Sequence, residues 1–444
     1  MSIRLDRSAL ESVTRHRNER EAVMGENNNL LNLTIAVGLL FPLFFQLSGG
    51  IYNGYINDSG GNIATLPLPI SLLTCFGGMA LLIRRFRQAD LAWTFAVAML
   101  FVLILSTIFS SSGFLIEYRK LLLLAQFILP VFALALGQLV FDDDKAIPKG
   151  FLVVLLTIVP LQLMAGWMQG SLSLTHSLYV FSIYQHFQFV PLVFVAAFAF
   201  VTTALWATHQ RTLLMLFPFM LIYVMASASF LTVAAFMVFI ASFAVQQVRV
   251  CNSVSPLIVI AIVLTLTAVA ILGIGSHLNI AVTRSFDYGD HGAYIRKFQS
   301  LLEGKLPVNA TERWADWKLF GNGIVESLQT MFFGHVAPLA REVRTSAHNW
   351  YLDIAYTFGL ISLLPIFVLI GYTIYLFWRR RTRLPLDTRW LAFIVCYLVV
   401  IDNNFKVSLR QPYSGIFTYF LWGLLLSRLT DSDSLRSCRE VFKK

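Results

Sequence analysis

The chain is poor in charge. Of its 444 residues only 13% are Asp, Glu, Lys or Arg, against 57% hydrophobic, whereas soluble globular chains carry about a quarter charged residues. That shortage excludes an ordinary fold built for water. Cysteine is scarce too: Cys75 and Cys396 fall inside apolar runs, and Cys251 and Cys438 lie beside basic segments. No CxxC pair occurs, so neither a structural disulfide nor a thiolate metal site is expected. The two-residue alternation of a membrane β-barrel is missing, as are internal repeats, low-complexity tracts and the inverted repeats of many transporters. Residues 1–29 are polar and basic and lack the compact n-region and small-residue cleavage site of a secretory signal. They read as a retained cytoplasmic tail.

Long apolar runs fill the rest. Stretches able to cross a hydrocarbon core of about 30 Å lie near 30–48, 65–83, 91–109, 121–141, 151–169, 188–207, 212–226, 229–247, 255–275, 350–377, 390–402 and 415–428. Continuous apolar runs in a bilayer demand helices, because only a helix satisfies its own backbone. The pair 212–226 and 229–247 is so closely spaced that it predicts either a tight hairpin or a broken, re-entrant element. The formal charge of +10 is concentrated in short segments between these runs, which points to membrane orientation rather than nucleic acid. Arg84, Arg85, Arg87, Lys145, Lys149, Arg211, Arg249 and the run Arg379, Arg380, Arg381, Arg383, Arg389 all fall on one side if the N-terminus is cytoplasmic. The expectation is an all-α polytopic membrane protein of about twelve transmembrane helices, in a bacterial inner membrane with both ends inside. In that scheme 1–29 is the N-terminal tail, 30–275 holds the first nine helices and 276–349 is a long helical periplasmic loop. Residues 350–428 hold the last three helices and 429–444 a basic tail.

Structureless loops as long as 276–349 are uncommon unless they have a function. This one ends in Ser346-Ala347-His348-Asn349-Trp350-Tyr351-Leu352-Asp353, where a polar loop enters an apolar helix. A histidine at such a boundary can stay neutral near pH 7 and accept a proton where aqueous and lipid-borne groups meet. The plainer alternative makes His348 and Asn349 a helix cap at headgroup level, with Trp350 and Tyr351 as interfacial aromatics.

The string AHNWYLDIAYTFGLISLLP resembles the signature of the O-antigen polymerase and O-antigen ligase superfamily, a His-Asn-x-x-Leu element followed by a Gly-containing apolar stretch. Arg313-Trp314-Ala315-Asp316-Trp317 is similar to the Arg-x-x-x-Trp element that opens a periplasmic helix in that family. The resemblance covers about residues 310–365 at motif level. It implies a GT-C-like membrane glycosyltransferase, metal-independent and without a cofactor, that passes a glycan from undecaprenyl diphosphate to an acceptor hydroxyl with inversion. His348 would be the catalytic base, Arg313 a contact to the diphosphate, and Asn349 and Tyr351 supporting residues. A guanidinium suits a diphosphate through bidentate hydrogen bonds. The sequence departs from the family at Met225-Ala226-Ser227-Ala228-Ser229-Phe230, which lacks the usual mid-chain Arg. Arg284, Arg410, and Arg119 with Lys120 are candidates to replace it, against a reading as headgroup or carboxylate partners.

Other constellations are weaker. Asp287-Tyr288-Gly289-Asp290-His291 and Asp58 read as solvated turns before they read as cation ligands. His186 reads equally as a groove residue and as an interfacial aromatic neighbour. The partners implied are an undecaprenyl-diphosphate-linked donor, a glycan acceptor, the bilayer and a chain-length regulator. The polymerase reading leads, with the ligase and a protein O-oligosaccharyltransferase as alternatives. A transporter or flippase for lipid-linked sugars is the alternative of another class.

Overall fold

The computed structural model describes residues 28–46, 50–51, 67–110, 118–140, 145–168, 189–227, 229–251, 308–339, 343 and 346–431. Within these, the chain is a helical protein with several apolar helices long enough to span a membrane. The expected span 255–275, Arg284, Asp287–His291, Asp58 and His186 lie outside the described residues.

The first span is shorter than its apolar run. Helix α1 covers Asn28–Leu40, and the residue before Pro42 is driven out of the helical region by the proline ring. The chain continues as β1 (Phe44–Gln46), which pairs antiparallel with β2 (Gly50–Ile51) and β3 (Pro67–Pro69) in the order β2-β1-β3. This sheet of two- and three-residue strands is a local addition to a chain that is otherwise all-α. The Tyr413 hydroxyl donates to the Leu40 carbonyl at 2.5 Å, satisfying one orphan acceptor where α1 ends.

Helices α2 (Ile70–Leu81), α3 (Asp90–Ser110), α4 (Tyr118–Ile128), α5 (Phe132–Leu139) and α6 (Ala146–Met168) follow. A 3-10 turn at Leu129–Val131, built on Pro130, separates α4 from α5. Helix α7 (Val190–Ala226) is formally continuous, but His209 leaves helical geometry at φ −128° and ψ 28°. The Phe194 and Tyr223 rings stack with centroids 5.5 Å apart. In a straight helix those residues would be separated by about 40 Å at 1.5 Å per residue, so α7 is a hairpin that reverses at His209. Helix α8 (Phe230–Cys251) packs beside it through Phe198–Phe236 and Trp206–Phe243 ring contacts.

Beyond the undescribed stretch come α9 (Val308–Ile324) and the short α10 (Leu328–Phe333), whose N-terminus carries a Ser327–Thr330 capping box. The apolar run 350–377 divides in two: α11 (Trp350–Phe358) stops at Gly359, φ +77°, and α12 (Leu364–Arg380) restarts after a 3-10 turn with Pro365 in its first turn. The His-Asn pair therefore opens a two-turn helix separate from the span. Helix α13 (Leu386–Cys396) loosens into a π turn at Tyr397–Ile401 and a 3-10 turn at Asp402–Asn404, rather than running straight to 402. A further 3-10 turn at Ser408–Arg410 leads into α14 (Pro412–Asp431).

Helix α14 is the axis of the bundle and packs most extensively on α5. A Cβ on Gly137 would sit 2.2 Å from the Phe420 carbonyl oxygen, and one on Gly423 would sit 2.1 Å from that of Leu134. Two glycines facing each other let the backbones meet, which is how helices associate where lipid is as apolar as the side chains. A second reciprocal contact joins α10 to α11. The Cα of Gly334 (φ +77°) abuts the Thr357 carbonyl and that of Gly359 abuts the Phe332 carbonyl. Lys120 secures the same junction from below. Its buried ammonium donates to the Ser110 hydroxyl and, at 2.6 Å, to the His335 carbonyl.

Candidate functional site

Four pieces of chain converge at one end of the bundle: α9, residues 346–349, α11, and the irregular segment 402–411. Asn349 organises the first join. Its side-chain oxygen accepts from the amides of Tyr351 (3.0 Å) and Leu352 (3.1 Å), the N-cap role expected of Asn. Its amide nitrogen donates to the Asn404 side chain at 3.2 Å, tying the cap of α11 to the end of α13. The Tyr351 hydroxyl donates to the Val399 carbonyl at 2.8 Å, inside the π turn. Both residues tie α11 to the segment that follows α13.

Asp353, one turn into α11, collects the loop. Its carboxylate accepts from the Ser346 hydroxyl (2.9 Å), the Ala347 amide (2.6 Å) and the Arg410 guanidinium (2.8 Å). The Ser346 hydroxyl in turn accepts the His348 amide at 3.0 Å. These bonds hold His348 in left-handed backbone geometry, φ +51°. A non-glycine residue there costs about 1–3 kcal/mol and persists only where its surroundings over-determine it.

The His348 side chain is 38% exposed, and its Nδ1 lies 3.5 Å from an Asp316 oxygen in a carboxylate only 4% exposed. Nδ1 itself is buried, so the open face of the ring is the remainder, including the Nε2 edge. Nδ1 makes no hydrogen bond at that distance; the tautomer with the proton on Nδ1, facing Asp316, is the one that would leave the Nε2 lone pair for an incoming hydroxyl.

Arg313 stands one turn before Asp316 on α9. Burial pushes its guanidinium down from the ordinary value, while Asp402 and Asp316 push it back up. Among the described residues it forms no ion pair, so its donors are the least committed of the cations here. Arg410 is committed to Asp353. Lys406 is committed to Asp402 at 3.4 Å, and burial lowers its ammonium from the ordinary value against the opposing pull of Asp402. Three cations thus face three carboxylates: Arg313, Lys406 and Arg410 against Asp316, Asp353 and Asp402.

Of the residues singled out from the sequence, His348, Asn349, Tyr351, Arg313 and Arg410 come together. Lys120 does not join them: it is 1% exposed and spent on the α10–α11 junction. The side chain of Arg119 is not among those described. Asp402 and Lys406, fully buried ionisable groups at the end of an apolar run, were not singled out. Their type and place are the signal, since a charge at that depth needs a partner and a reason. No protein-family model matches this chain. Nor does any curated protein prove detectably similar to it.

Proposed function

We propose that the chain is a GT-C-like, inverting glycosyltransferase of about twelve spans, acting as an O-antigen polymerase at the periplasmic face. It joins undecaprenyl-diphosphate-linked repeat units. The observation that carries the reading is Arg313, half-buried and in no ion pair among the described residues, one helical turn from Asp316, the carboxylate that faces His348. An oxygen nucleophile and a diphosphate leaving group need those two functions side by side. The acceptor hydroxyl attacks the anomeric carbon as its proton passes to Nε2 of His348. The bond from that carbon to the diphosphate oxygen breaks, and the electron pair leaves with undecaprenyl diphosphate. Arg313 balances the charge that develops on the leaving oxygens. Because the three cations and three carboxylates at the site are already equal in number, the rest of the diphosphate's charge falls to His348 once protonated.

The test is complementation of one strain lacking the polymerase and one lacking the ligase, read on a lipopolysaccharide gel. Restored ladders in the polymerase-null strain support the proposal. Rescue of the ligase-null strain alone moves the acceptor to lipid A–core and keeps the His348 chemistry. His348→Ala is expected to lose activity by about 10²–10⁴-fold, the usual worth of a general base, while the protein remains folded and inserted. Near-normal transfer by that variant sinks the assignment. One feature favours the transporter alternative: the end of α13 is broken beside buried Asp402 and Lys406, as helices are at transport sites. Rescue of neither strain in a host with matching sugars would select it.

A further inference from the structure

Residues 276–349 are expected to face water, yet α10 and its flanks carry an exposed apolar stripe. Val325 is 67%, Leu328 73%, Phe332 42% and Val336 46% exposed. Leu328 and Phe332, at i and i+4, share one face of α10, and Val325 lies in the turn just before its Ser327 cap. A soluble surface rarely shows so continuous a patch without a use for it.

What covers the stripe follows from its neighbours. On one side α10 packs against the outer end of α3: the Phe109 and Phe333 rings stack at 5.0 Å, and the Gln329 amide donates to the Phe109 carbonyl at 3.0 Å. On the other side it packs against the 3-10 turn that opens α12, where the Gly334–Gly359 contact fixes it. Both neighbours belong to segments long and apolar enough to cross a membrane, Ile83–Ser110 and Leu360–Arg380. Each leaves large apolar side chains exposed at that same end: Ile108 and Phe109 on α3, Leu360 and Leu364 on the other. The stripe continues the lipid-facing surface of two spans at their outer ends.

We infer that α10 is seated in the outer leaflet, with Val325, Leu328 and Phe332 buried in the boundary between headgroups and acyl chains. The occupant is lipid, about 5–10 Å below the membrane surface as for other interfacial helices. This inference rests on the multi-pass reading of the fold and is independent of the reaction proposed above. The polar side of α9, with Lys318 exposed, faces water.

The experiment uses the full-length chain in liposomes of phosphatidylethanolamine and phosphatidylglycerol, with the four native cysteines replaced by serine. Nitroxide labels are placed by Leu328→Cys, Phe332→Cys and, as control, Lys318→Cys. Collision with oxygen is expected to exceed collision with a nickel chelate at 328 and 332 and to fall below it at 318. Chelate collisions exceeding oxygen collisions at 328 and 332 would place the stripe in water and overturn the inference. Low collision rates with both reagents would mean that protein covers the stripe, from a second copy or a partner, and would also overturn it.

Discussion

Helices α12 and α14 are close in length and lie near each other in the chain, yet they meet different solvents. Helix α12 buries only Ile366, Leu369 and Leu376, and it leaves Leu364, Phe367 and Val368 exposed on its surface. Helix α14 carries Tyr413, Ser414, Thr418, Tyr419 and Trp422 and is buried along nearly its whole length. The helix with more polar groups is the one at the centre. In water the reverse would hold, because burial follows apolar area. In a bilayer the lipid takes the apolar side chains at no loss, and contact between helices is driven by close packing and hydrogen bonds. The polar groups of α14 illustrate this: Ser414 donates to the Ser408 carbonyl at 2.7 Å, and the Trp422 indole donates to the Thr373 hydroxyl on α12 at 2.8 Å.

Changes to α14 should therefore unfold the protein and changes to the outer face of α12 should not. The largest effect is expected from Gly423→Leu, which drives a branched side chain into the Leu134 carbonyl. Repacking alone costs about 1–3 kcal/mol, and an immovable backbone adds to that. Loss of monodisperse protein in detergent size-exclusion chromatography is the readout. Next is Asp353→Ala, which leaves Arg410 unpaired where the chain enters α14. Breaking a buried pair from one side costs about 3–5 kcal/mol. It should lower the thermal midpoint in detergent sharply, and Asp353→Asn should recover part of the loss. Trp422→Phe removes one hydrogen bond and some volume, for about 1–2 kcal/mol. Val368→Ala, at a site 68% exposed, should stay within about 0.5 kcal/mol of the parent protein. A Val368 effect as large as that of Trp422 would show that α12 faces protein rather than lipid.

The same contrast explains what the sequence made legible. Apolar run length locates spans well, because the bilayer imposes it, and α3, α6 and α12 lie within or close to their runs. The reversal of α7 at His209 falls between the runs 188–207 and 212–226, where Arg211 already interrupts the apolar stretch. Run length cannot tell a helix from an apolar strand pair, so the Pro42 stop and the β1–β3 sheet were not apparent. At the site, His348, Asn349 and Arg313 were visible as residue types at a loop–helix boundary. Asp316 and Asp353 stand in the sequence only as neighbours of those residues, because their roles depend on partners far along the chain: Asp316 on His348, Asp353 on Arg410. Asp402 and Lys406 pair within one turn. Their reach to Arg313 depends on the loosened end of α13.

The interlocked glycines Gly334 and Gly359 also bear on where this chain tolerates added length. Each backbone occupies the space that the other's side chain would need, so the two positions act as a clasp closing the segment 335–358. Residues added inside the clasp share that closed segment with Ser346, Ala347 and His348, whose placement hangs on Asp353. Residues added upstream of α9 leave the clasp shut. An epitope or reporter domain inserted before Val308 should therefore be carried without disturbing His348, whereas the same insertion between Val336 and Ser346 should be felt at the site even though both positions read as loop.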